Sequence, residues 1–71
     1  MEIKKMVGER LKQARKAKGL TQDVAGQAIG QRYQNYARYE NGVFELNYEQ
    51  MITLCKLFDC TSDYLLGLSD L

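Results

Sequence analysis

The stretch RYQNYARYENG, residues 32–42, carries Gln34 and Arg38 four positions apart, with three of the chain's five tyrosines (33, 36 and 39) between and beside them. On a helix, residues four apart share a face. A glutamine amide can pair bidentately with adenine and a guanidinium with guanine, so a short helix of this composition is suited to reading base edges. At about 100° per residue, Gln34 and Arg38 fall on one side with Ala37 beside them. Tyr36 and Tyr39 fall on the opposite side, with Asn35 near its edge and Tyr33 at the boundary. Tyr36 and Tyr39 are therefore expected to pack, their hydroxyls needing a partner or a route to solvent. The alternative for the polar side is a merely solvated surface.

Other chemistries find little support. The chain has no histidine and only two cysteines, Cys55 and Cys60, whose spacing fits neither a CxxC redox pair nor a zinc framework. They read as two buried, reduced thiols of a cytosolic protein. Without a phosphate loop or a nucleophile beside a base, an enzyme is not expected. Asp59 and Asp63 read as flanks of a helix start. No metal, cofactor or membrane partner is expected, since no apolar run reaches the length of a span and the start lacks a signal-peptide core.

Seventy-one residues allow one small domain, 1–71, with one modest core. Net charge is +1 but unevenly spread. Residues 1–39 hold nine of the ten Lys and Arg and three acids, a balance of +6, while residues 40–71 balance at −5. Such asymmetry points to a charged partner, although solvated helix faces would also produce it.

Five short helices and no strand pattern predict an all-α fold. The first runs from near residue 2 to Lys18, with Ile3, Met6, Val7, Leu11, Ala14 and Ala17 as its buried face and Gly19 past its end. Thr21 caps the second, whose apolar face is Val24, Ala25, Ala28 and Ile29 and whose end is Gly30. Gly26 inside it costs about 1 kcal/mol against alanine, a cost that a close helix approach would explain. The third covers roughly 32–40 and ends at Asn41-Gly42. Asn47 opens the fourth with Gln50 at capping-box spacing, and Met51, Ile52, Leu54, Cys55, Leu57 and Phe58 are its expected buried face. Thr61 caps a last helix carrying Tyr64, Leu65 and Leu66, with Gly67 at its end. Helices two and three, joined by a few residues around Gly30, have helix-turn-helix spacing, in which the second helix can lie in a DNA major groove.

The stretch GLTQDVAGQAIGQRYQNYARYENG (19–42) resembles the core of lambda-repressor-like, Cro/CI-type helix-turn-helix regulators, the xenobiotic-response-element family. The entry G-L-T-Q, the small residue four after Gln22, Gly30 eight after it and the exit Y-E-N-G carry the resemblance. The preceding ERLKQARKAKG, the capped fourth helix and the closing DYLLG extend it over about residues 7–68. It implies a compact five-helix lambda-repressor-like domain with its helix-turn-helix at about residues 21–40.

The resemblance also implies roles. Tyr33, Gln34 and Arg38 would contact bases, and Thr21, Gln22, Arg32 and Asn41 would contact the DNA backbone and position the domain on it. Gln22 resembles a glutamine that binds phosphate and braces the reading helix, at a helix end that favours anions. Arg15 and Glu40 resemble a structural ion pair tying helix one to the end of helix three. Three departures stand out: Val43 and Phe44 where relatives often carry basic residues, Leu46 where proline is common, and Arg32 where a capping serine is frequent. The first lowers the expected DNA affinity and leaves an apolar pair that could join the core, a dimer interface or a protein contact.

The expected function is sequence-specific binding of double-stranded DNA by a transcriptional regulator, a repressor, in the cytoplasm of a bacterial or phage-type system and on the nucleoid when bound. A reader this small covers few base pairs. A homodimer on a palindromic site is therefore expected, with half-sites roughly 34 Å apart. Leu65, Leu66, Leu68 and Leu71 with the Val43-Phe44 loop are its candidate surfaces, or equally core, or the junction to a longer protein. The rival reading is a protein-interaction or antitoxin-like module that keeps the fold with weak or no DNA binding, favoured by Val43-Phe44 and the acidic C-terminal half.

Overall fold

The structure, a computed structural model, describes residues 2–70. Five helices follow one another: α1 (Ile3–Ala17), α2 (Gln22–Ala28), α3 (Tyr33–Glu40), α4 (Tyr48–Phe58) and α5 (Ser62–Leu65), with no strand among the described residues. Three starts are capped by side chains. Thr21 Oγ1 accepts from the Val24 N–H, Thr61 Oγ1 accepts from Tyr64, and Asn47 and Gln50 exchange bonds in a full capping box. Arg32 occupies the cap of α3 and makes no such bond.

All five ends use one device. In each, two successive N–H groups turn back on carbonyls of the last turn, the paired 6→1 and 5→2 bonds of a Schellman motif. The left-handed residue this requires is Gly19, Gly30, Gly42 or Gly67 in four ends and Asp59 in α4. This repeated stop keeps the helices short.

Helix α3 packs chiefly on α2 and α1, while α1 also carries α5 and meets α4. Leu11, Ala25, Tyr36, Leu54 and Leu65 are fully buried and Phe58 nearly so, one core fed by every helix. Two glycines inside helices permit close approaches. A β-carbon on Gly26 would run into the Gln31 carbonyl and crowd Tyr36, so its absence lets the start of α3 lie against α2. Gly8, mid-helix in α1, lies under the carbonyls of Tyr39 and Glu40, where a β-carbon would collide with backbone. Helix α5 is held to α1 by Arg10, whose Nη1 donates to the Tyr64 and Ser69 carbonyls (3.1 and 2.8 Å) and whose guanidinium lies 4.7 Å from the Tyr64 ring centre. The Tyr64 hydroxyl donates to Gln13 at 2.9 Å.

The expected buried faces were too wide. Ile3, Ala17, Val24, Ala28 and Ile52 are exposed. A core this small covers only the centre of each stripe. Ile52 is 57% exposed because, at about 100° per residue, it stands about 160° around α4 from fully buried Leu54. Ile3 lies on the correct side of α1 but a turn past its cover, on the rim of an open apolar cleft. Cys55 and Cys60 are unpaired and only half-buried, not buried as expected. The apolar loop pair divides: Phe44 packs edge-on against Tyr39 at 5.3 Å, while Val43 is exposed. Of the C-terminal leucines, Leu65 is core and Leu68 exposed, and Leu71 lies outside the described residues.

Candidate nucleic-acid interface

The turn between α2 and α3 is built by the Gly26 carbonyl, which accepts from both Ile29 and Gln31, and by Gly30 in its left-handed conformation. Extended Arg32 then starts α3 without a side-chain cap. The helix that follows has two distinct sides. Tyr36 is 0% exposed and Tyr39 9% exposed, whereas Tyr33, Gln34, Asn35 and Arg38 are all open to solvent.

The inner side is pinned by one carboxylate. Glu40, only 6% exposed, accepts from Arg15 Nε at 2.7 Å, from Arg15 Nη2 at 3.1 Å and from Gln22 Nε2 at 3.1 Å. Arg15 Nη1 in turn donates to the Leu20 carbonyl at 2.8 Å. Thus α1, α2 and the turn between them converge on the end of α3. Burial pushes the Glu40 carboxyl up, but the Arg15 and Gln22 donors outweigh it and hold the group below its ordinary value. The bond to Glu40 likewise raises the Arg15 guanidinium. Gln22 therefore braces α3, and one N–H of its amide is committed to that task. Its second N–H remains for a further acceptor.

The tyrosine hydroxyls fare differently. Tyr39 accepts from Gln50 Nε2 at 3.2 Å, whereas the Tyr36 hydroxyl is buried beside Arg15 and Glu40 without a partner in hydrogen-bonding geometry. Burial, helped by Glu40, raises its pKa far above the ordinary tyrosine value.

The outer side presents the candidate readers. Tyr33 is 52% exposed at the tip of α3, bordering an open groove with Gln34, Arg32, Gln31, Gln27 and Asp23. Asn35 Nδ2 donates to Gln31 Oε1 at 3.3 Å, a link the sequence reading missed. Arg38 is not free-standing: its guanidinium lies 5.6 Å from the Phe44 ring centre. Phe44, whose sequence context points to a lost phosphate contact and to a core, dimer or protein contact, sits between Tyr39 and Arg38 and supports both. Thr21 and Asn41 are exposed at the start of α2 and the end of α3. The Arg38 carbonyl accepts from Val43 and Phe44, tying the exit loop to the reader.

Comparison with known proteins agrees with this architecture. The family model described as Helix-turn-helix matches residues 11–65. Two regulators of Bacillus subtilis (strain 168), both described as uncharacterized HTH-type transcriptional regulators, are similar. YobD is 35% identical over 92% of this chain and 58% of its own length, and YqaE 38% identical over 86% and 53%. The chain thus spans little more than half the length of these relatives. A crystal structure of the P22 c2 repressor protein in complex with synthetic operator 9T superposes with a TM-score of 0.78 at 30% identity, covering 89% of this chain and 96% of that one. The five helices, with no strand among the described residues, the matched model and these relatives agree with the resemblance in residues 19–42: the chain belongs to the helix-turn-helix family, among its lambda-repressor-like, Cro/CI-type regulators.

Proposed function

We propose that this chain is a sequence-specific, double-stranded DNA-binding domain of a transcriptional repressor, placing α3 in the major groove. The observation that carries the proposal is the two-sided α3: its inner side is fixed by Tyr36, Tyr39 and Glu40, while Tyr33, Gln34 and Arg38 stand outward and no core packing depends on Tyr33 or Gln34. In this reading Gln34 and Arg38 hydrogen-bond base edges, and the Tyr33 ring meets a thymine methyl or its hydroxyl a phosphate. Thr21, Gln22, Arg32 and Asn41 contact the phosphodiester backbone. The operator complex of the similar P22 c2 repressor supports DNA as the partner. The reading further places the domain, 1–71 as one unit, in the cytoplasm as a homodimer on a palindromic site, with no catalytic role.

Selection of bound duplexes from a random pool, followed by affinity measurement against salt, tests this. A palindrome with half-site centres about one helical turn apart is the expected product. The logarithm of affinity should fall with that of salt by about 0.9 for each phosphate neutralised. A pool that yields no enriched sequence and no salt-sensitive binding would refute the proposal. It would favour instead a protein partner at exposed Val43 and the apolar cleft of about 420 Å³ lined by Ile3, Val7, Phe44, Leu46, Tyr48 and Met51.

A further inference from the structure

The turn that ends α4 differs from the other four in two respects. Its left-handed residue is Asp59 (φ 54°, ψ 49°) where the others use glycine. The two residues that a Schellman motif brings side by side, the last-turn residue accepting the 6→1 bond and the residue donating it, are Cys55 and Cys60. In the other helices this pair is Arg15 with Leu20, Gly26 with Gln31, Arg38 with Val43, and Asp63 with Leu68. The helix stop, not sequence proximity alone, therefore sets two thiols against each other.

The distances permit a bond. The Cys60 N–H meets the Cys55 carbonyl at 3.0 Å. Standard covalent lengths then keep the two Cα atoms within about 7 Å of each other, and disulfides span about 4.4–6.8 Å. Both residues are half-buried and unpaired, and the thiols are near enough to influence each other's protonation. Cys60 also lines a surface pocket of about 370 Å³ between the end of α1 and the start of α5, bordered by Gln13, Lys18, Phe58, Thr61 and Tyr64. The Lys18–Asp59 ion pair, at 3.4 Å, stands at the same place. A small molecule thus has a route to one sulfur, with the second sulfur beside it.

We propose that Cys55 and Cys60 are a reversible dithiol–disulfide site that takes a small-molecule disulfide as its oxidant and closes the α4–α5 turn covalently. The Cys60 thiolate attacks one sulfur of the oxidant RSSR, forming a Cys60–S–S–R mixed disulfide and releasing RS⁻. The Cys55 thiolate then attacks Cys60 Sγ, forming the Cys55–Cys60 bond and releasing the second RS⁻. Two protein thiols are oxidised, their two protons pass to the two RS⁻ groups, and RSSR is reduced to two RSH. Burial pushes the Cys60 thiol up to about 11 and raises Cys55 as well, so the thiolate is scarce at neutral pH and exchange is slow there.

The test is incubation of the full chain with bis(2-hydroxyethyl) disulfide under mildly alkaline conditions, then alkylation and intact mass measurement. The expected product is a monomer lighter by two hydrogens that takes up no alkyl group, unfolds at a higher temperature and reverts with excess thiol. In Cys55→Ser the reaction should stop at a mixed disulfide on Cys60. The same exchange in urea should give a ratio of internal to mixed disulfide lower by on the order of tenfold, because the unfolded chain must itself bring the two residues together. Stable mixed disulfides on both cysteines of the native chain, crosslinked dimers, two alkylated thiols, or equal ratios in urea and buffer would each overturn the assignment.

Discussion

Replacing Glu40 by glutamine keeps the shape of the side chain and removes the charge that Arg15 faces. At 2.7 Å and an effective dielectric constant of about 20, the gross attraction in the pair is on the order of 6 kcal/mol. Desolvation of both ions offsets most of that, so the intact pair nets little. Removing one partner is different, because the Arg15 side chain, 10% exposed, keeps its charge with only the Leu20 carbonyl and a neutral amide opposite. Such stranded charges cost about 3–5 kcal/mol. A domain of this length has roughly 4–11 kcal/mol in total. Glu40→Gln should thus remove a large part of the stability and lower Tm by roughly 20–35 °C.

The assay is urea and thermal unfolding followed by circular dichroism, for wild type, Glu40→Gln, Arg15→Met and the double variant Arg15→Met/Glu40→Gln. The double variant should be more stable than the sum of the single losses allows, by on the order of 2 kcal/mol or more. The pH dependence supplies an internal check. The folded-state pKa of Glu40 lies below the ordinary 4.5, so its contribution is fully present above that value and is lost as pH falls through the folded one. Glu40→Gln should lack this part of the acid loss. Single variants within about 1 kcal/mol of wild type, or a double variant equal to the sum of the singles, would refute the account of a buried, coupled carboxylate.

Gly8→Ala should cost about 1–3 kcal/mol in a urea melt, because its β-carbon meets the carbonyls of Tyr39 and Glu40, backbone that cannot swing aside. Tyr36→Phe should leave stability unchanged or raise it by up to about 1 kcal/mol, since it deletes a buried hydroxyl without a hydrogen-bond partner; a clear loss would show that this hydroxyl is in fact bonded. Gln34→Ala should leave the melt unaltered and relax preference at one base pair by about 1–3 kcal/mol in competition binding. Phe44→Ala should destabilise the fold and also weaken base discrimination at the Arg38 position, a pairing of effects that Gln34→Ala should not show.

What the sequence made legible was local or periodic. Thr21, Asn47 and Thr61 announce helix starts because capping needs only residues three positions apart, and all three cap as expected. Tyr36 and Tyr39 separate from Gln34 and Arg38 by helical angle alone. The missed features depend on distant partners. Gly8 looks like any glycine until α3 is laid across it. Arg10 looks like one more basic residue of α1 until the last turn of the chain brings it the Tyr64 and Ser69 carbonyls. Ile52 is a different kind of miss: spacing alone sets it about 160° around α4 from Leu54, and its apolar type outweighed that angle.

The division of labour within α3 bears on how such a chain changes over time. Tyr33 and Gln34 are outside the core and hold no other element in place. Their identities can drift without the frame registering the change. Two duplicated copies could share one set of frame residues while diverging into mutually exclusive addresses. Arg38 has less of that freedom, because its stacking on Phe44 means that a new residue there must suit the exit loop as well as the partner.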